Sequence, residues 1–114
     1  MAIAIAASRQ ALADTYKTLG TFFGLATGAP GTTATPANEA TGGGYARVAT
    51  TWTSSTGGVV NGSAVTINAA AGTYTYTILC SSGSGANMVD NASITSTVLS
   101  APGQIVITPS YTQS

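Results

Sequence analysis

Residues 73–80 read Thr73-Tyr74-Thr75-Tyr76-Thr77-Ile78-Leu79-Cys80. β-Branched and aromatic side chains fill this run, with no Gly or Pro to interrupt it, and such residues fit a pleated surface. Strict alternation would place Tyr74, Tyr76, Ile78 and Cys80 on one face and Thr73, Thr75, Thr77 and Leu79 on the other. Towards the C-terminus, Ser81 to Asn87 reads as a Gly/Ser hairpin loop. Met88 to Ser93 and Ile94 to Leu99 read as strands, or as one strand with a bend. Ala101-Pro102-Gly103 is a turn, and Gln104 to Thr108 is a last strand that Pro109 confines to a sheet edge. Towards the N-terminus, Ala69-Ala70-Ala71-Gly72 is a turn, and Ala64 to Asn68 is a strand with Val65 and Ile67 on one face. Asn61-Gly62 carries a hairpin signal, and Thr56-Gly57-Gly58 a turn. Tyr45 to Trp52 alternates as one half-buried strand, and Phe22 to Thr27 is a short apolar one. This spacing of short strands predicts a mainly β, antiparallel fold, sandwich-like or jelly-roll-like.

One helix is expected, from Ser8 to Leu19. Ser8 is positioned to cap it, and Leu12, Tyr16 and Leu19 form an apolar stripe. Gly20 stands where a left-handed cap residue belongs. Residues 1–20 therefore read as an arm plus helix in front of the sheets, with residues 1–114 as one domain. The arm alternates Ala2-Ile3-Ala4-Ile5. It lacks the basic segment and the length of a secretory leader, so synthesis in a cytoplasm without a cleaved leader is expected. No apolar run reaches the length of a membrane helix, and no membrane partner is expected.

Composition narrows the function. The 114 residues contain three Lys+Arg, three Asp+Glu and no His, so 5% are charged, against about 25% in an ordinary soluble domain. Twenty Thr, twelve Ser, twenty Ala and fourteen Gly supply most of the rest. Three cations with zero net charge give no footprint for nucleic acid. Without His, the commonest general base and metal ligand are missing. Asp14, Glu39 and Asp90 are far apart in sequence and read as caps, turn residues or interface pairs. Ser82-Gly83-Ser84-Gly85 resembles a phosphate loop in composition alone, and one carboxylate near Asn87 and Asn91 is too few for calcium. Cys80, the single cysteine, reads as a small buried hydrophobe. No catalytic residue, cofactor or metal is expected.

The segment Gly28 to Gly44 is a long loop rich in Gly, Pro and Thr, of the kind that serves as a contact arm. It ends in Glu39 and Gly42-Gly43-Gly44, followed by Tyr45-Ala46-Arg47. Arg47 is placed to pair with Glu39, either as a clamp within the chain or as a contact between subunits. Tyr45, Trp52, Tyr74 and Tyr76 are candidates for an aromatic platform, although aromatics on strands more often pack in the core. A surface this poor in charge suits a chain that spends its life against other chains.

Three stretches carry a resemblance: Leu19-Gly20-Thr21, Leu25-Ala26-Thr27-Gly28-Ala29-Pro30-Gly31, and Asn38-Glu39-Ala40-Thr41-Gly42-Gly43-Gly44-Tyr45-Ala46-Arg47. They resemble small virion proteins of tailed bacteriophages, a group of tail-fibre, minor tail and head decoration proteins. The resemblance is specific over residues 11–52 and topological beyond. It implies a structural protein of the virion that is not an enzyme. The leading expectation is a capsid decoration protein on the outer surface of the head, a homotrimer held to the major capsid protein or other virion proteins. The alternative is a minor tail or tail-fibre module that binds host surface glycans. Candidate interface residues are Ile3, Ile5, Arg9, Lys17, Pro30, Glu39, Tyr45 and Arg47.

Overall fold

A computed structural model describes residues 2–114. Helix α1 (Ala6–Tyr16) comes first. Strands β1 (Phe22–Ala26), β2 (Val48–Ala49), β3 (Trp52–Ser54), β4 (Val59–Gly62) and β5 (Val65–Ala69) follow. Then come β6 (Gly72–Cys80), β7 (Met88–Leu99), β8 (Gly103–Ile107) and β9 (Ser110–Thr112). The strands pair antiparallel in three sheets, ordered β2-β1-β6-β7, β3-β4-β9 and β5-β8. The expected mainly β, sandwich-like fold with one N-terminal helix is the fold observed. Its extents are 47 × 25 × 22 Å.

β1 and β6 are central and buried on both sides. Phe23 and Leu25 of β1 join Leu79 and Tyr74 of β6, Val65, Ile67 and Ala69 of β5, and Ile105 of β8 in the main core. The opposite face of the large sheet holds Ala26, Ile78, Cys80 and Met88. Leu25, Ile67, Ile78 and Leu79 are among the fully buried side chains, and each contributes about 1.5–3 kcal/mol relative to exposure. β5 keeps the alternation its sequence implies, with Val65, Ile67 and Ala69 buried and Thr66 and Asn68 exposed.

β6 does not keep its alternation throughout. Its pairing with β7 slips between Tyr74↔Thr97 and Tyr76↔Ser93. Extra residues on β7 oppose Thr75 and increase the local twist, as in a bulge. Tyr74 thereby faces the same core as Leu79, while Tyr76 packs with the cluster containing Ile78 and Cys80.

Other boundaries differ for identifiable reasons. The expected Tyr45–Trp52 strand splits into β2 and β3, which lie in different sheets. Buried Thr50 sits at the crossover and donates to the Ser63 carbonyl at 2.7 Å. Asn61-Gly62 forms no turn: the pair lies in β4, opposite Thr53 and Trp52. A side chain at Gly62 would run into Pro109 and Thr50. After Pro109 the chain returns as β9 along β4, a strand the sequence pattern did not predict.

The helix is turned the other way from its expected orientation. Its N-cap is Ile5, without a side-chain bond, and Ser8 lies inside the first turn. Leu12 and Leu19 are each 47% exposed, and Ala13 is the buried residue of α1. The face turned to the protein is polar because it meets the backbone of the β3–β4 turn. Gln10 Oε1 accepts from the N–H groups of Gly58 and Val59 at 2.9 and 3.1 Å, and its amide donates to the Val59 carbonyl at 3.1 Å. Arg9 Nε donates to the Gly57 carbonyl at 2.9 Å and Nη1 to the Ile3 carbonyl at 2.6 Å. The helix ends at Lys17, and Gly20 serves close approach to the Cys80 carbonyl rather than a left-handed cap.

Candidate functional site

Two constellations stand out, one buried and one open. The buried one is built on the long loop. Gly42, Gly43 and Gly44 take φ of +78°, +63° and +76°, which glycine adopts at little cost. They reverse the chain so that Tyr45 and Arg47 fall back onto Glu39. The Arg47 side chain grips Glu39 with both forks, Nε to Oε2 at 2.8 Å and Nη2 to Oε1 at 2.9 Å. Nη1 donates to the Ser82 carbonyl at 3.2 Å and to Asn87 Oδ1 at 3.0 Å, and Nη2 also to the Gly85 carbonyl at 3.0 Å. All five donors of the guanidinium are thus used within the chain. The Tyr45 hydroxyl donates to Glu39 Oε2 at 2.7 Å and accepts from the Leu25 N–H at 3.2 Å. A single node therefore ties β1, the 28–44 loop and the 81–87 loop together.

The electrostatics follow from this geometry. Burial alone would raise the Glu39 carboxyl, but hydrogen bonds from Arg47 and Tyr45 more than offset it and hold its pKa below the ordinary value. Burial and the bond to Glu39 push the Tyr45 phenol up. Cys80 is raised by burial, although Arg47 pulls the other way, so the thiol stays protonated and inert. Among the described residues there is no group of three or more His, Cys, Asp or Glu side chains able to hold a metal.

Of the expected interface residues, the structure takes some inward. Arg47 is buried and Pro30 fully so; neither offers surface to a partner in this fold. Glu39 and Tyr45 are engaged with Arg47 and with each other. Arg9 is held by the Gly57 and Ile3 carbonyls. Lys17 donates to Ser54 Oγ at 2.6 Å, with Asp14 at 3.9 Å. Ile5 is 63% exposed.

The open constellation is a cleft of about 340 Å³ between α1, β3, β7 and β9. Tyr16, Phe23, Trp52 and Tyr111 give it an aromatic wall, and Asp90 and Asn91 also line it, Asp90 next to Tyr16. Tyr16 stacks on Tyr111 at 3.7 Å with an interplanar angle of 6° and meets Trp52 edge-on at 6.1 Å. Phe23 meets Trp52 edge-on at 5.8 Å. The indole N–H is used by the Gly20 carbonyl at 2.9 Å, which fixes the ring. The Tyr16 hydroxyl donates to Asp90 Oδ2 at 2.7 Å, and the Asn91 N–H to Asp90 Oδ1 at 2.8 Å. Burial, reinforced by Asp90, raises the Tyr16 phenol, so it remains a donor. Each Asp90 oxygen keeps acceptor capacity for another hydroxyl. Among the described residues, no Lys or Arg lines the cleft.

The expected aromatic platform is thus redistributed. Tyr74 is buried, with its hydroxyl on the Ala70 carbonyl at 2.7 Å, and Tyr45 belongs to the clamp. Trp52 lines the cleft. Tyr16 and Tyr111 are the members that sequence reasoning missed; an aromatic beyond Pro109 gives no signal without the return of β9.

The model of the family described as Podophage GP4 fiber I protein gp80 matches residues 9–110. The chain belongs to this fibre family. It is therefore a structural component of a phage virion, associated with other virion proteins. No curated protein and no solved structure matches the chain. For a fibre-family protein the two constellations divide naturally into one that holds the loops to the sheet and one left open to solvent.

Proposed function

We propose that this chain is a host-contacting module of a podophage tail fibre, without enzymatic activity, that binds neutral surface glycans in the Tyr16–Trp52–Tyr111 cleft. The observation that carries the reading is the juxtaposition of an aromatic wall with Asp90 and Asn91 in the lining of one cleft of about 340 Å³. Small-molecule sites are concave, mostly apolar and furnished with a few convergent polar groups. Aromatic rings pack against the C–H faces of a sugar, and carboxylate and amide oxygens accept its hydroxyls. A single carboxylate with no cation in the lining disfavours acidic sugars and phosphorylated ligands. The fibre family supports a place on the tail over the outer surface of the head. The main expectation of a decoration homotrimer on the major capsid protein loses ground accordingly.

The test is an array of bacterial surface saccharides probed with the purified protein. Neutral saccharides should be retained; Asp90→Asn should weaken them at least about tenfold, the scale of one lost charged hydrogen bond, and Tyr111→Ala should weaken them by removing an aromatic face. Circular dichroism of both variants should match the parent. An array without a hit, or hits indifferent to both substitutions, would overturn the reading.

A further inference from the structure

A second cleft, of about 270 Å³, lies between residues 31–34 of the long loop and residues 88–91 at the start of β7. Asp90 and Asn91 line both this cleft and the aromatic one. Asp90 pairs with Leu79 and Asn91 with Ile78, and Leu79 and Ile78 belong to the cores on opposite faces of the large sheet. Consecutive strand residues point to opposite faces. Because β7 is the last strand of that sheet, a single strand edge separates the two clefts.

The loop is fixed beside this edge. Pro30 is fully buried. The Ala34 carbonyl accepts from the Met88 N–H at 2.9 Å, and Asn91 Nδ2 donates to the Gly31 carbonyl at 3.0 Å. A site ordered in advance loses less freedom on binding. Among the described residues, no aromatic ring and no Lys or Arg lines this second cleft. It offers instead the hydroxyls of exposed Thr32 and Thr33 and the side-chain oxygen of Asn91, groups that exchange hydrogen bonds with other hydroxyls. The Asp90 carboxylate stands between: Oδ2 takes the Tyr16 hydroxyl and Oδ1 the Asn91 N–H. Small-molecule sites occupy about 300–1,000 Å³. The aromatic cleft is near the lower limit and the second cleft is below it, whereas together they fall well inside that range.

We infer that the saccharide site continues over the edge of β7 into the 31–34 cleft, so that its ligand is a neutral chain of two or more sugar units rather than a single sugar. One ring packs on the aromatic wall, Asp90 accepts hydroxyls at the crossing, and the next ring is held by Thr32, Thr33 and Asn91. The inference rests on saccharide binding in the aromatic cleft and assigns the contact loop a part in it.

The test is calorimetric titration of the full chain with three probes: a neutral saccharide retained on the array, and the disaccharide and single sugar released from it by partial hydrolysis. The disaccharide should bind at least about tenfold more tightly than the single sugar. The double variant Thr32→Val, Thr33→Val keeps side-chain shape on an exposed loop, so its circular dichroism should match the parent. It should lose about fivefold or more of the disaccharide affinity, the scale of two neutral hydrogen bonds, and leave the single sugar unaffected. Retention of single sugars alone, or a disaccharide bound no more tightly than its unit, would overturn the inference. So would a disaccharide gain that survives the double substitution. All three results leave Asp90-dependent binding in the aromatic cleft standing. A saccharide array without a hit would instead overturn the receptor reading, and this extension with it.

Discussion

Replacing Arg47 with Ala should cost the fold about 3–5 kcal/mol, the usual penalty for removing one partner of a buried ion pair. The Arg47 side chain is 3% exposed and that of Glu39 23%. The substitution deletes five hydrogen bonds and leaves the partly buried Glu39 carboxylate without its cation, held by the Tyr45 hydroxyl alone, while the 81–87 loop loses its tie to Arg47. Water reaching the exposed part of Glu39 softens the loss, which favours the lower end of that range. At roughly 4 °C per kcal/mol for a domain of this size, Tm should fall by about 12 °C. Arg47→Lys keeps the charge but offers three donors and no fork, so it should recover only part. Urea denaturation followed by circular dichroism gives the free energy. Amide exchange gives its location: the 28–44 and 81–87 loops should exchange faster in Arg47→Ala, while β5 and β8 keep their relative protection. A loss below about 1 kcal/mol, within the range of an exposed pair, would refute the clamp.

Acid should weaken the fold through the same node. The Glu39 carboxyl lies below its unfolded value when folded, so its contribution is present above that value and is lost as pH falls through the folded one. Asp14, lowered by hydrogen bonds from Ser54 and Gln10, acts with the same sign. Urea midpoints should therefore drop on going from about pH 6 to about pH 2.5, and Glu39→Gln should flatten part of that slope; an unchanged slope would remove Glu39 from the account. Gly24→Ala should destabilise by about 1–3 kcal/mol, because a methyl there meets the Tyr45 hydroxyl. Combined with Tyr45→Phe, the loss should be smaller than the sum of the two singles, and strict additivity would show that the two positions do not touch.

Where side-chain periodicity reports a single environment, the fold was legible in the sequence. β5 follows its alternation closely, β1 is the short apolar strand its composition implies, and the eight-residue run ending at Cys80 lies within β6. The bulge opposite Thr75 was hidden because the extra residues belong to β7, not to the strand being read. The helix misled for a physical reason. Its partner is the bare backbone of a Gly-rich turn, so Gln10 and Arg9 form the inner face and Leu12 is left outside. The Glu39–Arg47 pair could be anticipated from eight residues of glycine-rich spacing, whereas its partners Ser82, Gly85 and Asn87 arrive from a distant hairpin. The cleft was the least legible feature. Trp52 was a candidate, but Tyr16 and Tyr111 meet only because β9 returns along β4 and delivers residue 111 to the helix.

Trp52 is the only tryptophan in the chain and lines the cleft, so its emission reports directly on the site. Titrating the full chain with a neutral saccharide retained on the array should produce a saturable change in Trp52 fluorescence. The same titration of Asp90→Asn should show it weakened by at least about tenfold. Saccharide binding that leaves the Trp52 emission unmoved, or an emission change indifferent to Asp90, would contradict the assignment of the cleft as the receptor site.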